Sequence, residues 1–504
     1  MDLGECEPLR CDHHVDQVVM RMHCFARAQA VARRCARPIW WNLRKLDESS
    51  GPIVVEGEHR FGEVNGSVGY ADSASAGLAT AENKVLSISP VLLLFVSCAC
   101  SDSATGTRYA VVDSANVAIV TNLPAGIASA APWSLSAEPA VDIGAGANPE
   151  VSLFRITSVY PFEGDRVAVG TDGAPQGLVF ESNGHLIAAV GREGDGPGEF
   201  ATVATVVPFS SDSLAVWDPY RRRLSVFTTL GRFVREVDLS AVAPLSPTAA
   251  AAPLTRSAWT TLLRSVPGSF FLFAEGFSGP DAGVRRVQAL SLRITGTGEE
   301  LARFGPFPGE ETFRTDETGA VPLTVPLPFG ARTHAASIGS GLVVGDGYYP
   351  EFRSYTPDGM LERIVRWPDH QRQVGGTFLT DWNDFLDDWI ASMPDAAQTA
   401  MRDLRDQTPQ PDRYPAYDAL FADSEEVWVG AYAGQLRMMG TPLNARVPAR
   451  QWVVFDRQGV LIAVVQTPAG FEPHAILNHR VWGVYEDDLE VESVRAYDVI
   501  KAGL

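Results

Sequence analysis

The sequence predicts an all-β chain, a six-bladed β-propeller with a small helical insertion between blades four and five. Three observations carry that expectation. From about Val151 onward a unit of short strands recurs six times, and within each unit apolar and polar positions alternate with period two. In five of the copies an aromatic or apolar residue is followed four positions later by glycine. Period-two alternation marks a strand with two distinct faces, and recurrence at this spacing marks a repeat architecture. A four-stranded sheet of this size cannot bury both faces alone, but stacked radially against like sheets it can.

In chain order, residues 1–82 show no sustained period and no turn-bounded strands, as expected of a disordered extension or of a translation start placed too far upstream. They contain Cys6, Cys11, Cys24 and Cys35 with His13, His14 and His23. The spacing lacks the C-x-x-C or H-x-x-x-H knuckles that bring two ligands to one zinc ion from a tight turn. From Arg21 to Lys45 there are seven basic residues and no acidic one, which reads as a solvated basic arm.

Residues 83–100 read as a signal peptide. Val85 to Val96, VLSISPVLLLFV, is an apolar run of twelve preceded by Lys84 and followed by SCACSDSATG. A membrane-spanning helix needs ~20 residues, so the run suits a signal-peptide core instead. With Ser97-Cys98 and the small, polar residues after it, the run resembles a bacterial lipoprotein signal, in which a lipid-modified cysteine becomes the mature N-terminus. Phe95 departs from the leucine usual in that motif, and Cys100 fits it less well than Cys98. The resemblance implies lipidation at Cys98, export, and anchoring to a bacterial membrane on its periplasmic or cell-surface side.

The remainder, residues 101–504, is the expected propeller. All six cysteines precede Ser101, so nothing in it can form a disulfide. In the first copy DRVAVGTD (Asp165 to Asp172) leads to Phe180 and Gly184; in the second DSLAVWDP (Asp212 to Pro219) leads to Phe227 and Gly231. The third runs from SFFLFAEG at Ser269 to Ile294 and Gly298, and the fourth from GLVVGDG at Gly341 to Tyr355 and Gly359. The fifth joins EEVWVGAY at Glu425 to Phe455 and Gly459 after a long insert, and the sixth, from His479, lacks the glycine. The glycine supplies positive φ in a tight antiparallel turn. EPAVDIG from Glu138 is expected to complete the last blade, closing the ring without an open edge.

Asp218 to Phe227, DPYRRRLSVF, resembles the NHL-type signature D-x-x-x-x-R-[IL]-x-V-F. GREGDGPGEF, Gly191 to Phe200, resembles the segment joining blades in bacterial six-bladed propeller lipoproteins, and Arg480 to Val499 resembles their closing blade. The similarity spans about Thr107 to Leu504. It implies that Asp218 and Arg223 hold a hairpin together across its surface. The glycine-rich GREGDGPGEF is no phosphate loop, because Glu199 stands where a third glycine should be and a strand, not a helix, follows. It is expected to cross between blades, with Phe200 plugging the core.

Between blades four and five, Phe378, Trp382, Phe385, Leu386, Trp389 and Ile390 recur at helical spacing, with Thr380 and Asp381 available as caps. A second helix is expected from Pro394 through Leu404, so the insert covers about residues 378–407. Its aromatic stripe packs on the propeller or, as a rim insertion, meets a partner through Trp382 and Trp389.

The formal charge is -20, with lysine only at positions 45, 84 and 501, a field that repels polyanions and excludes nucleic acid. After Ser101 there is no G-x-S-x-G, H-E-x-x-H or C-x-x-C. Glu486-Asp487-Asp488 lacks the alternate-position ligands and central glycine of a calcium loop. Propeller sites are instead assembled from separate blades, and Arg155, His334, Asp418 and His474 fall near the beginnings of the inner strands of blades one, four, five and six. Two imidazoles, a carboxylate and a guanidinium at one mouth would suit an anionic ligand or a divalent metal in the channel, although no cofactor is predicted. Two functions follow. One is a membrane-anchored scaffold for a protein, peptide or glycan; the other is a channel-site enzyme such as a metal-dependent lactonase or lyase. The scaffold is favoured because no acid or metal signature appears.

Overall fold

The computed structural model describes residues 107–144, 153–162, 164–240, 260–264, 268–275, 281–315, 324–370, 372–433, 437–438, 441–442 and 447–501. The expected N-terminal extension (1–82), the expected signal segment (83–100) and Cys98 lie outside the described residues.

Among these residues, six sheets of four or more strands follow one another as antiparallel meanders. The first joins Ile156–Phe162, Arg166–Thr171, Gln176–Glu181 and Leu186–Val190, and the second Thr205–Pro208, Ser213–Asp218, Arg223–Thr228 and Phe233–Asp238. The third joins Thr260–Arg264, Ser269–Glu275, Gly283–Thr295, Glu300–Arg314 and Thr324–Pro326. The fourth is built on His334–Ile338, Gly341–Gly345, Glu351–Tyr355 and Leu361–Arg366. Tyr417–Ala422, Glu426–Ala431, Arg450–Asp456 and Leu461–Thr467 form the fifth; Phe471–Leu477, Arg480–Glu486 and Glu492–Ile500 form the sixth.

The second strand of each sheet is its most apolar, as in Val167 to Val169 or Leu214 to Trp217, and is buried on both faces. Six apolar clusters show where those faces go. Ala168 and Val179 of the first sheet meet Val206 and Phe227 of the second beside Phe162 and Phe200, and Trp217 of the second meets Phe270 and Ile294 of the third. Phe271 and Phe304 meet Leu342 and Val344, Phe352 meets Val427 and Phe455, and Trp428 and Trp452 meet Val481 and Tyr497. Trp482, Val494 and Ala496 of the sixth sheet return to Val159 and Val167 of the first. The first strand of every sheet also approaches the first strand of the next. The fold is therefore β-propeller-like.

The N-terminal segment borders three of these sheets. Val141–Ile143 pairs antiparallel with the last strand, Ile143 opposite Val494, as the sequence predicts for EPAVDIG. Two earlier pairings are additions to that expectation. Val117–Asn122 runs parallel to Leu361–Arg366 on the fourth sheet, carrying Tyr109–Ser114 outside it, and Ala131–Pro132 runs parallel to the last strand of the fifth.

The repeated glycines all sit at positive φ: Gly184 at 89°, Gly231 at 82°, Gly298 at 87°, Gly359 at 94° and Gly459 at 82°. A second reason for glycine is packing between sheets. A Cβ on Gly231 would lie 2.6 Å from the Ala189 carbonyl oxygen of the preceding sheet, and one on Gly459 would lie 2.4 Å from Val365 Cγ2.

In the GREGDGPGEF crossover, Phe200 is buried in the core between the first two sheets. Gly191, Gly194 and Gly198 take positive φ there. The expected Asp218–Arg223 surface pair needs correction. The two are opposite in register, but Arg223 pairs with Glu236 at 3.3 Å, while Asp218 is only 1% exposed. Its oxygens accept from the Ala201 and Arg221 amides at 2.8 and 3.0 Å, because a carboxylate removed from water requires donors.

Two helices, Thr377–Ala391 and Asp395–Gln407, lie between the fourth and fifth sheets. The first starts one turn earlier than Thr380 and Asp381 would place it: Gly376 is the cap, and Thr380 donates back to the Gly376 carbonyl at 3.2 Å.

Candidate functional site

In a meander of this type the first strands begin, and the second strands end, on one face. Arg155 precedes the first strand of sheet one, His334 opens that of sheet four, Asp418 is second in that of sheet five, and His474 is fourth in that of sheet six. The four divide between two settings.

In the first setting, between sheets four and five, the His334 ring lies 5.8 Å from that of Tyr417, whose hydroxyl donates to the Glu351 carbonyl at 2.9 Å. Asp418 pairs with Arg450 at 3.1 Å and accepts from the Ala433 amide at 3.2 Å. Arg450 is 5% exposed and lies 5.5 Å from the centre of the Trp452 ring. Tyr432 stacks on Tyr414 at 5.3 Å; burial, reinforced by the Asp418 charge, pushes its hydroxyl pKa up and keeps it protonated.

In the second setting, between sheets six and one, Arg155 pairs with Asp172 at 2.8 Å, and Asp172 also accepts from Thr202 Oγ1 at 2.6 Å. Glu492 accepts from the Ile156 amide at 2.9 Å, and burial raises its pKa. Burial lowers that of His474, with the Glu472 charge opposing, so its imidazole is held neutral. His474 nevertheless keeps part of its surface accessible.

The donor set does not fit the divalent metal that a lactonase-like site would need. Among the described residues no three His, Cys, Asp or Glu side chains group so as to hold one ion. Arg155 is no ligand, and Asp418 is engaged by Arg450 and a backbone amide.

A recurring carboxylate was missed from the sequence. Asp172, Asp218, Glu275, Asp346 and Glu486 all stand at or just beyond the end of a second strand. Asp172 and Asp218 grip the segment entering the second sheet, and Asp346 accepts from the Tyr348 amide at 3.0 Å. Glu275 differs. It is 2% exposed, its Oε1 is buried without a hydrogen-bond partner, and burial raises its pKa to about 7 against the pull of Arg332 and Arg286. The acid recurring at the end of the V-x-V-like second strand is the sequence signal that could have found it.

The helical hairpin sits on this same face. Trp382, expected to meet a partner, is 5% exposed and packs edge-on against Phe329 at 6.1 Å. A large apolar ring gains most by leaving water, so the stripe turns inward toward Phe329, Tyr414 and Tyr432, with Trp389 partly buried beside it. The outer side is acidic: Asp384, Asp387, Asp388, Asp395, Asp403 and Asp406 are exposed beside Arg402 and the half-buried Arg405.

No protein family matches the chain, and no curated protein matches it. Among solved structures the chain is similar to a Bacteroides fragilis protein described as exported, at 10% identity and TM-score 0.43, covering 76% of this chain and 99% of that one. A DUF4221 family member from Bacteroides vulgatus aligns at 10% identity and TM-score 0.42, covering 74% and 100%. Virginiamycin B lyase from Staphylococcus aureus aligns at 11% identity and TM-score 0.33, covering 68% and 95%. Likeness this distant carries no residue roles across.

Proposed function

We propose that the chain is an exported, lipid-anchored binding scaffold, an NHL-like six-bladed propeller whose ring is the six sheets described above. The face on which the first strands begin meets a protein, peptide or glycan. The observation that carries this reading is the helical hairpin seated on that face, with its aromatic stripe turned inward and its acidic side outward. The charged groups beneath it support the reading, since Arg155 and Asp418 are each held by a partner from their own sheet. Such pairs stiffen a rim and leave recognition to what projects from it. The acidic outer surface favours a partner that carries positive charge.

The test is binding of the purified protein to peptide and glycan arrays in three forms: wild type, a form with residues 376–408 replaced by a short Gly-Ser linker, and His334→Ala/His474→Ala. Replacing the hairpin should abolish binding, and the double-histidine form should retain it. The opposite pattern would overturn the scaffold reading in favour of a channel site. For the anchor, Cys98→Ala should release the protein from membranes; retention with Cys100 also replaced would remove the lipid from the proposal.

A further inference from the structure

The third sheet carries a ribbon found in no other sheet among the described residues. Its third and fourth strands, Gly283–Thr295 and Glu300–Arg314, continue past the end of the second strand. Glu275 closes that second strand where the ribbon departs, opposite Ala289. Around its carboxyl stand Arg286 from the third strand, Glu310 from the fourth, and Arg332 from the segment entering the fourth sheet.

Arg286 ties the ribbon to its neighbour. Its guanidinium donates to the Gly309 carbonyl at 2.9 Å within the ribbon, and to the Asp346 carbonyl at 3.2 Å and carboxylate at 3.4 Å in the fourth sheet. Glu275, with an unpartnered buried oxygen, is within electrostatic reach of that same guanidinium. A neutral carboxyl there leaves Arg286 to Asp346. An ionised one is a second anion competing for Arg286 and Arg332; the Glu310 backbone N–H favours it, while the Glu310 carboxylate repels it.

We propose that Glu275 is a proton-controlled latch between the third and fourth sheets: protonated, it leaves Arg286 bound to Asp346; ionised, it draws Arg286 inward and loosens the ribbon. The direction of linkage follows from the raised pKa. The folded protein binds a proton more tightly than the unfolded chain, so stability from this group is full below about 4.5 and declines as pH rises through about 7. The separation corresponds to a change on the order of 100-fold in the folding equilibrium. Arg332 belongs to the same segment as Phe329, on which the helical hairpin rests.

The experiment compares the full chain with Glu275→Gln, which keeps the shape but cannot ionise. Denaturant midpoints measured from pH 4.5 to 8.5 should fall more steeply with pH in the wild type, and amide protection across residues 283–288, taken relative to the intrinsic exchange rate at each pH, should fall with pH in the wild type alone. Equal pH slopes in the two proteins, or ribbon protection that changes identically in both, would overturn the proposal. Should Glu275→Gln fail to fold, Asp346→Asn provides the second arm. Freed from its carboxylate partner, Arg286 should lower the Glu275 titration midpoint followed by carboxyl-carbon NMR, and an unchanged midpoint rejects the latch.

Discussion

The side-chain amide of Asn122 donates to the carbonyl of Gly459, 337 residues further along the chain, at 3.0 Å. The same side chain donates to the Arg366 carbonyl at 3.2 Å and accepts from the Leu461 amide at 2.8 Å. One residue of the N-terminal segment thus fastens the outer strand of the fourth sheet to the corner of the fifth.

Asn122→Ala should therefore cost about 2–4 kcal/mol, more than a typical single substitution, because it strands a buried amide and two carbonyls. Urea denaturation would show this as a lower midpoint at unchanged slope. A loss below about 0.5 kcal/mol, the scale of an ordinary surface substitution, would mean that water replaces the lost contacts.

Glu490 offers a stabilising change. Its turn repeats the hydrogen bonding of the glycine corners: the Asp487 amide donates to the Val491 carbonyl and the Glu490 amide to that of Asp487, as the Glu181 and Gly184 amides do around Gly184. Yet Glu490 holds φ at 60° where the others have glycine, and its side chain is exposed. Glu490→Gly should raise stability by about 0.5–1 kcal/mol, read as a higher denaturant midpoint, because relief of the left-handed strain exceeds the added freedom of the unfolded chain.

Arg450 and Asp418 form a largely enclosed pair. Removing the guanidinium alone, Arg450→Ala, should destabilise by roughly 3–5 kcal/mol, since Asp418 is left charged and the packing on Trp452 is lost. Arg450→Met with Asp418→Leu should recover most of that loss. Failure of the double variant to improve on Arg450→Ala would locate the cost in the Trp452 contact instead.

His474 gives a pH dependence opposite in sign to that of Glu275. Its pKa is held below the ordinary 6.5, so the unfolded chain binds the proton more readily. Its stabilising effect is present above 6.5 and is lost as pH falls through the lower folded value. Compared with His474→Gln, the wild type should lose stability more steeply on acidification below pH 6.5. Parallel acid limbs would show that the imidazole charges freely in place.

Much of the fold was legible because its cues are local. The corner glycines, the alternating second strands, Phe200 and the aromatic stripe of the insert each declare themselves within ten or so residues. The pairing of Val117–Asn122 with Leu361–Arg366 leaves no such trace, since any apolar strand of that length could fill the place. Arg155, His334, Asp418 and His474 were picked out by their position near strand starts, but the partners that engage them were not legible. Arg450 and Asp172 come from other strands, and only register decides that they meet. Glu275 was hidden differently: its residue type recurs across the sheets, and what sets it apart is an oxygen left without a donor.

The border that the N-terminal segment makes along three sheets also sets an order of assembly. Residues 117–122, 131–132 and 141–143 hydrogen-bond to strands beginning at Leu361, Leu461 and Glu492, so during synthesis the hairpin of Tyr109–Ser114 with Val117–Asn122 waits for its parallel partner, and residues 131–132 and 141–143 wait for strands made later still. Each contact spans more than two hundred residues, and the loop-closure entropy must be met before any of it is rewarded. The early sheets can condense in sequence as they emerge, whereas the last three acquire their outer strands only when the beginning of the chain returns to them. Until the strands beginning at Leu361, Leu461 and Glu492 have been made, the ring stays unlocked.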